Sequence, residues 1–361
     1  MVNGLDEVVA AETILSEVDG AAGRLIIAGK SLAELAGRAS FEDVVSLLLA
    51  PFVPDLPRGD VLLARLGDAR REVYERVRPL AAALAVLPLY DGLRAGIALI
   101  PDGDGVEDAL RLIVAPTVLT AVLSRVRANQ KPIPPARGAG HAVDAMAMLG
   151  RDDQDGALAR ALDTYLVTVC EHGLNASTFA ARVIASTRAG LCSSVLGGLS
   201  ALKGPLHGGA PGPVITMLDD IARDGDARRW LEREVASGAR LMGFGHRIYR
   251  TRDPRADALK AAIRRLKDVP AAADRLRFAE QVEQEALAAL RVAKPDRVLQ
   301  TNVEFYTALL LETVGFDPDT FTCVFAMGRV AGWIAHAKEQ QATGRLIRPR
   351  SRYTGAYPIA A

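Results

Sequence analysis

At 361 residues the chain is long enough for a large core and exceeds the usual size of one domain, so two domains are expected. Half of the residues are hydrophobic but only 5% are aromatic, so the core must be built from Ala, Leu and Val, which suits close-packed helices and points to a mainly α fold. Forty-four basic residues against 43 acidic ones leave a net charge of +1, which argues against a nucleic-acid or membrane-surface binder and leaves any anionic ligand to a local cluster.

The N-terminal stretch MVNGLDEVVAAETILSEVDG has early acids and lacks the basic-then-apolar layout of an export signal, so a cytoplasmic location is expected. Residues 11–30 alternate apolar and polar around Asp19-Gly20 and Gly23, with Arg24-Leu25-Ile26-Ile27 as a short β run, which predicts a small hairpin. Ser40 followed by Asp43 forms a capping-box pattern that starts a helix, and Pro51, Pro54 and Pro57 end it. Helical stretches at 60–86, 90–100 and 106–129 are separated by Pro88 and by PDGDG at 101–105. The longest apolar run, 112–123, is too short to span a bilayer and contains Pro116, so it reads as a buried helix. Residues 130–140 carry Pro132, Pro134 and Pro135 and read as a surface loop. In the Ala- and Ser-rich stretch 157–202, Gly197-Gly198 permits close helix contact. Residues 226–267 are more charged, as a smaller, more mobile domain would be, and 275–293 carries apolar residues at helical spacing. Cys170, Cys192 and Cys323 are odd in number, far apart and set in apolar contexts, so a reducing compartment is expected rather than a disulfide framework. No zinc-ligand pattern occurs.

Residues 204–218, GPLHGGAPGPVITML, place His207 between Pro205 and the pair Gly208-Gly209, just ahead of an apolar, helix-like run. Glycines there let backbone approach a ligand, and a helix start beside Pro211 and Pro213 favours an anion or a developing negative charge. A lone histidine in such a chain is more often a satisfied core residue. A second phrase, MGFGHRIYRTRDPR at 242–255, changes that reading.

These two phrases, with EHGLNASTFAARV at 171–183, TNVEFY at 301–306, FAMGRVAGWIAH at 325–336, IRPRSRYTG at 347–355 and GLDEVVAAET near the N-terminus, resemble the citrate synthase family, in family order over nearly the whole chain. The resemblance implies a two-domain helical fold, with residues 1–207 beginning a large domain, 208–309 inserted as a small one, and 310–361 returning to the large domain and ending in a tail. The catalytic cleft then lies between the domains.

The implied reaction joins the methyl carbon of acetyl-CoA to the ketone of oxaloacetate. It needs a carboxylate base, a donor facing the thioester oxygen and a group that polarises the ketone. By the resemblance, Glu304 is the base, His207 donates to the enol or enolate oxygen, and His246 polarises the oxaloacetate carbonyl and protonates the new alkoxide. Citryl-CoA is then hydrolysed to citrate and CoA, with no metal and no permanently bound cofactor. Arg255, Arg329 and Arg348 match positions that hold the oxaloacetate carboxylates as planar forks, and His172 matches another substrate-binding position. Gly243-Phe244-Gly245 stands where the family cradles the adenine of CoA, and Arg250 and Arg297 stand where basic residues meet its phosphates. Arg348 further implies a homodimer with shared active sites.

One departure stands out. The family usually places Asp after Asn-Val, and Glu304 extends the carboxylate by about 1.5 Å, where an error of about 1 Å can cost roughly a hundredfold in rate. The alternatives are a 2-methylcitrate synthase using propionyl-CoA, since one methylene is worth only about 1–3 kcal/mol of discrimination, and a non-catalytic paralogue that binds oxaloacetate or CoA.

Overall fold

The structure is a computed structural model that describes residues 5, 8–208, 211–246, 248–266 and 269–357. Strands β1 (Ser16–Asp19), β2 (Arg24–Ile27) and β3 (Lys30–Ser31) form an antiparallel sheet in that order, with Ser16 opposite Ile27 and Ile27 opposite Lys30. The hairpin read from the sequence is therefore extended by a third, two-residue strand.

The remaining elements are helical: α1 (Leu32–Leu35), α2 (Phe41–Leu49), α3 (Gly59–Val77), α4 (Ala81–Ala85), α5 (Leu89–Ile97), α6 (Val106–Arg127), α7 (His141–Leu149) and α8 (Ala157–Val169). After these come α9 (Ala176–Ala185), α10 (Leu191–Leu202), α11 (Gly212–Asp224), α12 (Ala227–Ala236), α13 (Pro254–Arg264), α14 (Pro270–Ala293), α15 (Val303–Val314) and α16 (Phe321–Thr343). The mainly α expectation holds. Helix α2 starts on its capping box: Ser40 Oγ accepts the Asp43 N–H at 3.1 Å and Asp43 accepts the Ser40 N–H at 3.0 Å. The helix expected over 60–86 is interrupted by a 3-10 turn, Arg78–Leu80, where Pro79 removes an amide donor.

Helix α6 is long and apolar enough to cross a membrane by length and composition, but most of it is buried against α3, α5 and α16. Pro116 is accommodated within it, and Thr120 Oγ1 donates to its carbonyl at 2.6 Å. The loop at 130–140 is largely exposed, and His141 at its end is fully buried, with Nε2 2.7 Å from Thr117 Oγ1.

Helix α16 is the second buried spine, packed on α6, α8, α9 and α10. The contact expected of Gly197-Gly198 is real: a Cβ at Gly198 would stand 2.7 Å from the Trp333 ring, so only glycine lets α10 lie this close to α16. The helices α8, α13 and α15 pack on one another, which brings the end of α8 to the starts of α13 and α15.

Candidate active site

Three helix starts share one local device. Asn175, Asp253 and Asn302 cap α9, α13 and α15, and each cap oxygen accepts the N–H of the residue two positions on, Ser177 at 3.1 Å, Arg255 at 3.0 Å and Glu304 at 3.0 Å. The capped residues carry, respectively, the hydroxyl behind His207, a guanidinium and the candidate base. Helix N-termini favour negative charge nearby.

His207 Nε2 lies 2.8 Å from Ser177 Oγ, which also accepts the Trp333 Nε1–H at 3.1 Å and lies 2.8 Å from Asn175 Oδ1. That Asn oxygen already accepts the amides of Ser177 and Thr178. The hydroxyl proton is therefore best placed on His207 Nε2, which leaves the ring proton on Nδ1 as a donor. Burial, with help from Arg329 and Arg255, pushes the His207 imidazole down to about 4, so the ring is neutral at neutral pH. Ser177→Ala should lower turnover by about tenfold with little change in KM, because it removes one bond worth about 1 kcal/mol that fixes the ring. Steady-state kinetics check this; unchanged turnover would remove Ser177 from the site.

The loop carrying His246 is laced to the start of α15. Phe244 bridges Thr301, the Gly245 N–H donates to Gln300 O at 2.7 Å, and the Asn302 N–H donates to Gly243 O at 3.0 Å. Gly243 has φ +84° and no room for a Cβ beside Phe305. Phe244 is buried on Phe305, with ring centroids 5.3 Å apart. In this chain, Gly243-Phe244-Gly245 thus joins the segment carrying His246 to the start of α15, which carries Glu304, through backbone and core contacts.

His246 Nδ1 accepts two amides of its own loop, from Ile248 and Tyr249, both at 3.0 Å. A neutral ring then carries its proton on Nε2, which lies 3.2 Å from Arg255 Nη2. Two donors meet at that point, and a single carboxylate or ketone oxygen can accept from both. Burial, then Arg255, pushes His246 down to about 4, against an opposing pull from Asp253.

Arg255 is buried and gripped by Asp253, with Nε donating to Oδ1 at 3.0 Å and Nη2 to Oδ2 at 2.8 Å. The same carboxylate accepts the Val303 N–H at 3.1 Å, which ties Arg255 to the start of α15. Arg329 is also buried; its Nε donates to Val169 O at 2.6 Å, and burial pulls its guanidinium down to about 10, still a cation at neutral pH.

His172 stands among these groups. It is held neutral by burial and then by Arg255, Arg329, His246 and His207, with its ring 5.8 Å from that of His246 and its Nε2 3.2 Å from the Tyr249 hydroxyl. Burial raises the Glu304 carboxyl above its ordinary range, while Arg255 opposes this.

His172, His207, His246, Arg255, Glu304 and Arg329 are therefore brought together. Arg348 is exposed in the segment after α16, and Arg250 and Arg297 are exposed on loops. Gly209 of the sequence pair lies outside the described residues. Among the described residues, no group of three or more His, Cys, Asp or Glu could hold a metal. Sequence reading missed Ser177, Tyr249 and Asp253. Asp253-Pro254 is a cap-plus-N1 pattern that marks a helix start, but the grip on Arg255 is a property of the fold.

Comparison with known proteins follows the same line. Residues 4–350 match the family described as citrate synthase, C-terminal domain. The chain is 38% identical to the putative citrate synthase 2 of Mycobacterium tuberculosis, covering 99% of this chain and 94% of that protein. It is 34% identical to the 2-methylcitrate synthase of the same organism, covering 98% and 90%. Its fold superposes with a TM-score of 0.85 and 26% identity on citrate synthase from Thermoplasma acidophilum, solved as a ternary complex with carboxymethyl coenzyme A and oxaloacetate, covering 99% of this chain and 97% of that one.

Proposed function

The chain belongs to the citrate synthase family and is an enzyme condensing an acyl-CoA with oxaloacetate, and from that premise we propose that acetyl-CoA is its donor and citrate its product. One observation carries the residue assignment: two buried guanidiniums, Arg255 and Arg329, flank the neutral pair His172 and His246, a charge pattern matched by a small dicarboxylate with a carbonyl between its ends.

In this reading Arg255 and Arg329 take the carboxylates of oxaloacetate, and the Nε2–H of His246 polarises its ketone. Glu304 removes a proton from the acetyl methyl group while the Nδ1–H of His207 stabilises the enolate oxygen. The enolate carbon attacks the ketone, His246 gives its proton to the new alkoxide, and water cleaves the thioester to citrate and CoA. Arg250 and Arg297 are proposed to meet the CoA phosphates, and the 243–245 turn its adenine. The proposed division is 1–207, 208–309 and 310–361, with oxaloacetate binding first and drawing the two domains together. A homodimer is proposed in which Arg348 enters the partner's site. The unpaired, buried thiols of Cys170, Cys192 and Cys323 support a cytoplasmic setting.

The deciding experiment measures thiol release from acetyl-CoA and propionyl-CoA, each with and without oxaloacetate. Acetyl-CoA should respond most strongly; a larger kcat/KM for propionyl-CoA would transfer the assignment to 2-methylcitrate synthesis, and no oxaloacetate-dependent release would overturn both.

The pH profile gives a second check. Glu304 must be ionised to act, and its raised pKa places the acid limb of kcat/KM above the ordinary value of 4.5. His207 and His246 stay neutral until about 4 and so do not set that limb. A limb centred below 4.5 would contradict Glu304 as base. Stability has its own sign: the unfolded imidazoles take protons near 6.5 and the folded ones only near 4, so the stability these two histidines contribute should be lost as pH drops through that window, with the depressed carboxyls of Glu171, Glu280 and Glu283 adding a further loss below it.

A further inference from the structure

A second cluster of arginines lies away from these residues. A cavity of about 350 Å³ opens between the turn before α2, one face of α8 and the end of α13. Among the described residues, its wall holds Arg38, Arg160 and Arg265, from three separate segments, and one carboxylate, Asp163. Burial, with Glu42 and Asp43 adding to the rise, pushes that carboxyl up to about 7, so it is only part-ionised at neutral pH. Its Oδ1 is also occupied, accepting the Phe41 N–H at 3.0 Å.

Two of the guanidiniums have defined seats. Arg160 Nη1 donates to Asp155 O at 2.8 Å. The Arg265 guanidinium lies directly over Gly37, whose φ is +70° and where a Cβ would stand 2.3 Å from Nη1. Arg38, Arg160 and Arg265 are solvent-exposed, and in a chain with a net charge of only +1 they give this open concavity a cationic rim. We propose that this cavity is a binding site for a small polyanion bearing phosphate or carboxylate groups, held by Arg38, Arg160 and Arg265 as forked donors.

The site is placed to influence the first one. Helix α8 begins at the cavity with Ala157 and ends beside Glu171-His172, while α13 begins at Arg255 and ends at the cavity beside Arg265. The two helices pack against each other, and the ten residues from Arg255 to Arg265 span about 15 Å. A bound polyanion ties Arg265 on α13 to Arg160 on α8, and so holds the packing that sets Arg255 near His172. Occupancy should lower the oxaloacetate KM about fivefold with kcat unchanged, the lower end of the usual allosteric coupling. This coupling rests on the proposed oxaloacetate role of Arg255; the binding itself does not.

Calorimetry on the full chain with inorganic tripolyphosphate, and separately with tricarballylate, tests the site. With citrate and CoA saturating the first site, one further molecule per chain should bind, the tighter ligand naming phosphate or carboxylate as the group recognised. Arg160→Gln and Arg265→Gln should each weaken binding about tenfold, the loss of one charge-assisted contact. Gly37→Ala should weaken it while removing no charge, by displacing the Arg265 guanidinium. Arg250→Gln and Arg329→Gln should bind normally, which separates this cavity from the CoA and oxaloacetate groups. Equal affinity across the cavity variants, or no binding at millimolar anion, overturns the site. Normal binding with an unchanged oxaloacetate KM overturns the coupling alone. Loss of oxaloacetate-dependent turnover in the unmodified chain overturns the synthase reading and leaves the binding result standing.

Discussion

Glu304→Gln is expected to lower turnover by roughly 10²–10⁴-fold, the usual worth of a positioned general base, while oxaloacetate affinity stays within about twofold. Glutamine keeps the volume, and the backbone bond to Asn302 at 3.0 Å does not involve the replaced group. What disappears is the only function the side chain is proposed to have, accepting a proton from a carbon acid. Thiol release gives turnover and calorimetry gives oxaloacetate binding; near-normal turnover would sink the assignment. Glu304→Asp is the sharper probe. If the site is built for the longer side chain, aspartate draws the carboxylate back by about 1.5 Å and should cost up to roughly a hundredfold. A rise in activity would show instead that the native glutamate is an impairment.

The second large effect concerns Arg348. It is exposed after α16, next to Ile347, whose N–H donates to Ser186 Oγ at 3.0 Å, and it is proposed to serve the partner's site. Arg348→Ala should lower turnover by about 10²-fold or more as a homodimer, the cost of losing one partner of a buried charge pair. Co-expressing an Arg348→Ala chain with a Glu304→Gln chain then gives a mixed dimer. If Arg348 acts across the interface, both defects fall in one site and the other is intact, so activity should return. If it acts within its own chain, each site carries one defect; a purified, inactive heterodimer would therefore refute the shared site.

The residues that the fold brings together at the candidate site were legible because they sit in dense, uncommon phrases. His207 and His246 stand beside glycines, and Arg255 and Glu304 follow capping residues. The partners that hold them were not. Asp253 reads as a helix cap, yet it also grips Arg255, two residues on, and accepts the N–H of Val303, 50 residues away in sequence. Ser177 reads as one more small residue in an Ala-rich helix. Its importance comes from Trp333, which is seated by the glycine at 198. In the fold, the hairpin was visible through its turn, but Lys30–Ser31 is too short to show a two-residue period. The burial of His141 followed from Thr117 and Glu42, which nothing local announces.

The caps at Asn175, Asp253 and Asn302 have a consequence for how such a site can change over generations. Each fastens its functional neighbour by that neighbour's amide, a group all residues but proline possess. The cap is blind to side-chain identity. Exchange of a shorter acid for a longer one at 304 therefore leaves the helix start in register, and a lineage can cross that step without a misfolded intermediate. The added reach has to be absorbed by whatever the carboxylate faces, so compensating substitutions should cluster opposite Glu304 rather than beside it in sequence.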